Sequence, residues 1–367
     1  MREVFMIQQK RKGFSVFAMI AVSVWLMAYS LFMTERTIAA ARTALHIFGE
    51  SILPSLALFS VCAKLFLKTN VLQRLSSSRL RAFLKPLGVS AGGFSAFLVG
   101  LFAGFPTGAG MLADLCEKQA ITKREAESLL PFCNHAGAAF LIGTVGTALL
   151  GRAEMGTILF CAQTATAFCC LCLTSGDRRG TDENGAELRT ANGTFFSALS
   201  ASVKESVFAM LGVCGFVVFF SMAVTAFCDT LSAVGLLSNG LLFAMIGGFM
   251  EISFGFVSLS SLGLSAECVL MLGGLLLGFG GISVFMQATE RTELFFSSPK
   301  KYFCGKILES VICPFFACFF FFIYEEKNGK ISIIISLCFI LCIFYLLNYL
   351  KIKFFSKKCG KLERNAV

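Results

Sequence analysis

Charge is what this chain most lacks. Asp, Glu, Lys and Arg make up 15% of its 367 residues, whereas a soluble domain carries about a quarter. There is no HExxH, no GxxxxGK[ST] phosphate loop and no Ser/His/Asp grouping at a depth that could form a site. These gaps exclude a zinc hydrolase, an NTP-driven pump and a triad enzyme, and the chain reads as a non-enzyme without cofactor or metal. No basic stripe interleaved with aromatics appears on a polar domain, so the net charge of +10 does not point to nucleic acid.

What is present is grease. Hydrophobic residues reach 56%, with 42 Phe, and the mean hydropathy is +0.78. About 20 apolar residues span a bilayer, and many such windows occur, so the fold class is an all-α polytopic membrane protein. The 16 cysteines do not form a disulfide framework. Cys62, Cys161, Cys214, Cys313 and Cys338 lie inside apolar runs, where Cys acts as a small hydrophobe. "CCLC" at Cys169–Cys172 contains CxxC but has no second pair or His nearby, which argues against a metal site.

Apolar windows predict eight spanning helices at 14–33, 45–67, 132–150, 155–174, 205–227, 267–288, 307–324 and 331–350. The first is longer than a signal-peptide core and reads as a retained helix, although "AAA" at Ala39–Ala41 resembles a cleavage site. Two further apolar segments, 91–113 and 239–260, are too rich in Gly for ordinary spans. If both dip into the membrane and return, Lys and Arg concentrate on one side. Only Arg36, Arg42, Arg152, Lys327 and Lys330 of the 32 then lie outside, with both termini cytoplasmic.

A polar linker, 176–204, divides the chain near its middle. The expected organisation is an N-terminal helix (1–44), a first repeat (45–175), the linker, a second repeat (205–324), and a C-terminal helix with a basic tail (325–367). Three features recur in the same order on either side. "ESILPSLALF" (Glu50–Phe59) is echoed by "ESVFAMLGVC" (Glu205–Cys214), and "GLFAGFPTG" (Gly100–Gly108) by "GGFMEISFG" (Gly247–Gly255). "ITKREAESLL" (Ile121–Leu130) and "LSAECVLML" (Leu264–Leu272) each open a helix, with Thr122 and Ser265 as N-caps. In the topology above the halves are antiparallel, an inverted repeat in which each half has a re-entrant hairpin and a broken helix.

In hydrocarbon, irregular backbone is tolerated only where protein buries it or a watery cavity meets it. The breaks therefore locate a candidate binding site for a small polar solute. Its expected residues are Pro106, Thr107 and Gly108 at the first tip, and Glu251, Ser253 and Gly255 at the second. Asn134 and His135 come from the helix after the first hairpin, and Ser283 and Gln287 from the helix after the second. Glu251 reads as the one carboxylate deep in an apolar segment, where ionisable groups are functional by default. His135 reads first as a hydrogen-bonded structural residue and alternatively as a proton carrier. Any transport would draw on a gradient of solute or of a coupling ion, H+ or Na+. Lipid is the other partner, and small residues in several helices permit homo-oligomers.

Gly104-Phe105-Pro106-Thr107-Gly108, the amphipathic "ITKREAESLL" and Phe132-Cys133-Asn134, with "GGFMEISFG" and "GFGGISVFMQ" as counterparts, resemble sporulation integral membrane proteins of the YlbJ type. These are placed in the nucleoside-recognition or Gate-domain group. The resemblance covers about 45–290 and implies a bacterial cell-membrane protein of spore formation, akin to concentrative nucleoside transporters. The absent phosphate loop sets it apart from GTPases that carry Gate domains. His135-Ala136-Gly137 departs from the small hydroxyl residues that usually follow this Asn. The reading is a permease-like protein for a nucleoside-like solute or organic anion. Its alternative is a non-transporting assembly protein of the spore envelope that recruits partners through the 68–90 and 178–204 loops.

Overall fold

The computed structural model describes residues 2–68, 82–178, 194–292, 296–297, 299–327, 336–338 and 340–345. Much of the eighth expected span and of both partner-recruiting loops lies outside this set. Among the described residues every regular element is helical.

The chain opens with α1 (Arg2–Phe32) and α2 (Thr34–Ile47), which meet at Met33 with a bend of 99°. A π-helical turn, Phe48–Ile52, carries α2 into α3 (Leu53–Leu67). The expected boundary at 44/45 therefore falls inside a helical run. Next come α4 (Ala91–Ala103), α5 (Thr107–Glu117) and α6 (Lys123–Cys133), a π-helical segment Phe140–Leu149, and α7 (Ala153–Leu173). The second half holds α8 (Phe195–Ala233), α9 (Gly240–Met250), α10 (Ile252–Ser260), α11 (Ala266–Phe279), α12 (Ile282–Thr292) and α13 (Pro299–Lys327). Helix α8 begins ten residues earlier than the expected span, inside the region read as linker.

Four stretches are long and apolar enough to cross a membrane: α7, α8, Ala266–Glu290 and Pro299–Glu326. The bent α1–α2 pair makes a fifth if it counts as one span. The expected spans at 45–67 and 132–150 do not reach this length as single apolar helices. The first is divided by the π-helical turn, and the second by the irregular residues 134–137. Leu31, Phe32, Phe208, Phe315 and Phe322 stand exposed on α1, α8 and α13. So much outward aromatic and aliphatic surface suits lipid and would be a liability in water.

The two Gly-rich segments are helical hairpins. Helix α4 ends at Gly104, whose φ of +80° few other residues adopt, and α5 starts just beyond. Gly100 and Gly108 face each other across the turn, and a Cβ on either would strike the Cys133 carbonyl. The second hairpin turns at Glu251, with Gly248 packed on Gly255. Both expected N-caps are present: Thr122 Oγ1 accepts the Glu125 N–H at 3.2 Å, and Ser265 Oγ the Cys268 N–H at 3.4 Å.

Each hairpin tip rests on the helix break that follows it. Gly104 touches Gly137 in the irregular 134–137 stretch, and Gly281 lies against Met250 and Ile252. Side-chain partners fix the helix directions. Helices α3 and α8 run antiparallel, with Ser60 bonded to Ser206 at 3.1 Å, Lys64 and Lys68 on Glu205, and Ile52 and Leu56 facing Val213 and Val217. Helix α6 runs parallel to α13: Glu127 pairs with Lys301, and His135 just beyond α6 pairs with Glu309. Helix α11 opposes α13, with Gly274 on Pro314 and Gly278 on Ser310. Helix α7 opposes α13 as well, with Thr166 bonded to Cys313 and Cys170 near Glu309.

Candidate functional site

A small cavity lies where the two tips, the first break and α12 meet. Phe105 comes from the first tip, Gly137 from the first break, Glu251 and Ser253 from the second tip, and Gln287 from α12. Ile52, Leu56, Phe140, Val213, Val217 and Val284 complete an apolar wall. Its volume is ≈ 30 Å³, room for about two waters. A larger solute enters only if the tips separate.

Glu251 is 2% exposed and forms the N-cap of α10. Its Oε2 accepts the Phe254 N–H at 2.7 Å, and the carboxylate is also bonded by Ser253. The helix N-terminus thus supplies the donors that a buried carboxylate needs. Gln287 Nε2 donates to Ser283 Oγ at 3.3 Å, while Gln287 Oε1, buried at the cavity, meets no protein donor.

Asn134 and His135 belong to a different constellation, and neither lines the cavity. Asn134 Nδ2 donates to Tyr302 Oη at 2.9 Å. His135 Nε2 lies 2.8 Å from Glu309 Oε1, and Lys306 Nζ donates to Glu309 Oε2 and to the Asn134 carbonyl, each at 2.8 Å. On the next residue, the Ala136 N–H donates to Gln163 Oε1 at 3.2 Å and the Ala136 carbonyl accepts from Gln163 Nε2 at 2.8 Å. Lys306 is 0% and Glu309 1% exposed. Two acceptors are left without protein donors, Asn134 Oδ1 and His135 Nδ1.

The residues expected from the sequence therefore separate. Glu251, Ser253 and Gln287 come together at the cavity, and Ser283 supports Gln287. Asn134 and His135 brace the first break from behind. Gly108 and Gly255 serve the close approach of hairpin arms, so their role is packing. Pro106 and Thr107 sit half-buried at the first tip, the Thr107 N–H donating to the Gly104 carbonyl at 2.9 Å. Phe105, beside them, is the residue that reaches the cavity.

Sequence reasoning missed Tyr302, Lys306, Glu309 and Gln163, and Glu251 is not the one buried carboxylate. Lys306 sits at the basic end of an apolar run and reads as a cytoplasmic charge, with the expected span starting just after it. A cue was available: Lys306 and Glu309 are spaced i, i+3 on one helix face and can neutralise each other inside the protein.

At the N-terminal end of α6, Glu125 and Glu127 of the amphipathic run "ITKREAESLL" are buried. Glu125 Oε1 accepts the Ser90 N–H at 2.7 Å, tying α6 to the start of the first hairpin. Glu127 accepts from Lys301 at 2.5 Å and from the Ser297 N–H at 3.0 Å and hydroxyl. Burial pushes the Glu127 carboxyl up, but the hydrogen bonds from Lys301 and Ser297 outweigh it and hold the group below the usual carboxylate range.

The chain is similar to the sporulation integral membrane protein YlbJ of Bacillus subtilis (strain 168). The two are 26% identical over 334 residues, covering 79% of this chain and 80% of that protein. No protein-family model matches the chain, and no solved structure matches it. The motif order that suggested the YlbJ type thus has a relative behind it over about four-fifths of both lengths. Apolar helices, lipid-suited surfaces and this likeness lead to one statement: the chain is a multi-pass membrane protein, helical throughout its described residues and similar to the sporulation integral membrane protein YlbJ.

Proposed function

We propose that the chain is a permease of spore formation for a small polar solute, nucleoside-like or an organic anion, held between the tips of two re-entrant hairpins. The observation that carries this reading is the convergence of Phe105, Gly137, Glu251, Ser253 and Gln287 on one cavity from both hairpins and both broken helices. Polar side chains inside an apolar wall are the usual composition of a solute site, and the unpaired Gln287 Oε1 asks for a donor there.

The two halves are inverted repeats in this proposal. The directions of their counterparts support it: α3 opposes α8, α6 opposes α11 (one parallel and the other antiparallel to α13), and α7 opposes α13. Tips that meet from opposite sides are what such a repeat produces. The charge bias supports both termini on the cytoplasmic side.

The test is uptake by the full chain in proteoliposomes, screened with nucleosides, aromatic dicarboxylates and small organic acids. At least one is expected to enter the vesicles faster than in protein-free controls, and Glu251→Gln is expected to lower its flux tenfold or more. Flux untouched by Glu251→Gln removes the site. A protein that binds and moves none of these solutes, yet captures spore-envelope partners, is an assembly protein.

A further inference from the structure

We propose that His135 is a proton-binding site, its ring held by Glu309 and Lys306 at the first helix break, and that its protonation couples solute movement to H+. The proposal deepens the permease reading and rests on it.

The hydrogen-bond directions lead to one ring nitrogen. An ammonium only donates, so Lys306 makes Glu309 an acceptor. Glu309 then accepts again, from His135 Nε2 at 2.8 Å. The neutral ring therefore carries its hydrogen on Nε2, and Nδ1 is bare. Nδ1 is buried and has no protein donor. A proton from the aqueous phase forms one new bond there, N–H, and breaks none in the protein.

Lys306 and Glu309 cancel, so the cluster is neutral with a neutral ring and carries +1 once the ring is protonated, a charge whose burial is costly. The ring faces two charged groups, Glu309 and Lys306. Tyr302 and Cys313 from α13 and Cys170 from α7 are the other titratable groups packed around the cluster. The added charge sits at the C-terminal end of α6, where free carbonyls favour a cation and Lys306 already holds the Asn134 oxygen. Lys306 and Glu309 satisfy the freed carbonyl and each other, and the ring joins them through Nε2, so Nδ1 takes no part in that pairing.

Position supplies the coupling. Ala136 is clamped at both backbone groups by Gln163, and Gly137 lines the cavity and packs on Gly104 of the first tip. Protonation turns Nδ1 from acceptor to donor two residues from the cavity wall. Residues 135–137 form a short strip between the proton site and the hairpin tip, held at Ala136 by Gln163.

The experiment uses the full chain in lipid nanodiscs with ¹⁵N-labelled histidine rings. There are 2 histidines, and a His46→Gln background isolates the His135 signal. The expected result is an Nε2–H ring at about pH 9 that gains a proton on Nδ1 by about pH 5, with Na+ having no effect. A ring that keeps one state across that range, or responds to Na+ instead, overturns the proposal; neither measurement needs a variant at the cluster. In proteoliposomes, uptake of a carried solute is expected to rise several-fold under a proton gradient, and His135→Gln or Glu309→Gln to abolish the gradient dependence. Uptake that ignores the proton gradient overturns the coupling and leaves the permease standing. A ring that titrates in a protein carrying no solute sinks the permease and leaves the proton site.

Discussion

The two helix breaks solve one problem in opposite ways. At 134–137 the chain leaves the helix through Asn134 and His135, and an adjacent helix brings Lys306 onto the freed Asn134 carbonyl with Glu309 to balance it. At the second break Gly280 and Gly281 take φ of +86° and +94°, and backbone of the second hairpin tip, at Gly248, Met250 and Ile252, lies against Gly281. A polar break is costly to bury and adjustable; a glycine break is cheap and fixed. The lesson is that two helix breaks in one membrane protein need not share chemistry, only the satisfaction of backbone groups.

The largest effect that would break this comparison is removal of one partner of the buried pair. Lys306→Met strands Glu309 and is expected to destabilise by about 3–5 kcal/mol, whereas Lys306→Met with Glu309→Leu is expected to recover most of that loss. Unfolding in mixed micelles reads both, and equal losses would mean that the pair does not brace the break. Next in size, Gly280→Ala or Gly281→Ala forces a side chain into a left-handed conformation and is expected to cost about 1–2 kcal/mol. A neutral result there would show the second break to be less constrained than its φ values imply.

Glu251→Gln sharpens the contrast between stability and function. It weakens an N-cap by about 1 kcal/mol yet is expected to remove most solute flux; thermal unfolding alongside uptake separates the two. The smallest expected effect lies apart from the long apolar helices, at Glu127. Its carboxyl sits below the usual range when folded, so its stabilisation is complete above about pH 5 and fades as pH falls through the folded value. Glu127→Gln should therefore narrow the stability gap between neutral and acid pH. An unchanged acid profile would place that sensitivity elsewhere.

Much of this was legible in the residues. The glycines at 104, 280 and 281 announce breaks because few other residues tolerate those backbone angles, and Thr122 and Ser265 announce helix starts because their side chains cap locally. The hairpins at 91–117 and 240–260 follow from the same local rules. Less legible was which polar residues share a space. Asn134 and His135 follow the first hairpin as Ser283 and Gln287 follow the second, but Gln287 reaches the cavity while Asn134 and His135 turn toward α13. Lys306 read as a membrane-edge cation because hydropathy and positive-inside counting score a charge by its sequence neighbours alone.

What the sequence determined by itself is a greasy, helical, membrane-embedded chain broken at two places, since apolar length, capping and glycine freedom are local properties. What only the tertiary structure decided is the division between a cavity at the hairpin tips and a charged brace behind the first break. That division depends on which helix faces which, and Lys306 and Glu309 become tolerable in the interior only once His135 and the Asn134 carbonyl, some 170 positions away, are folded against them.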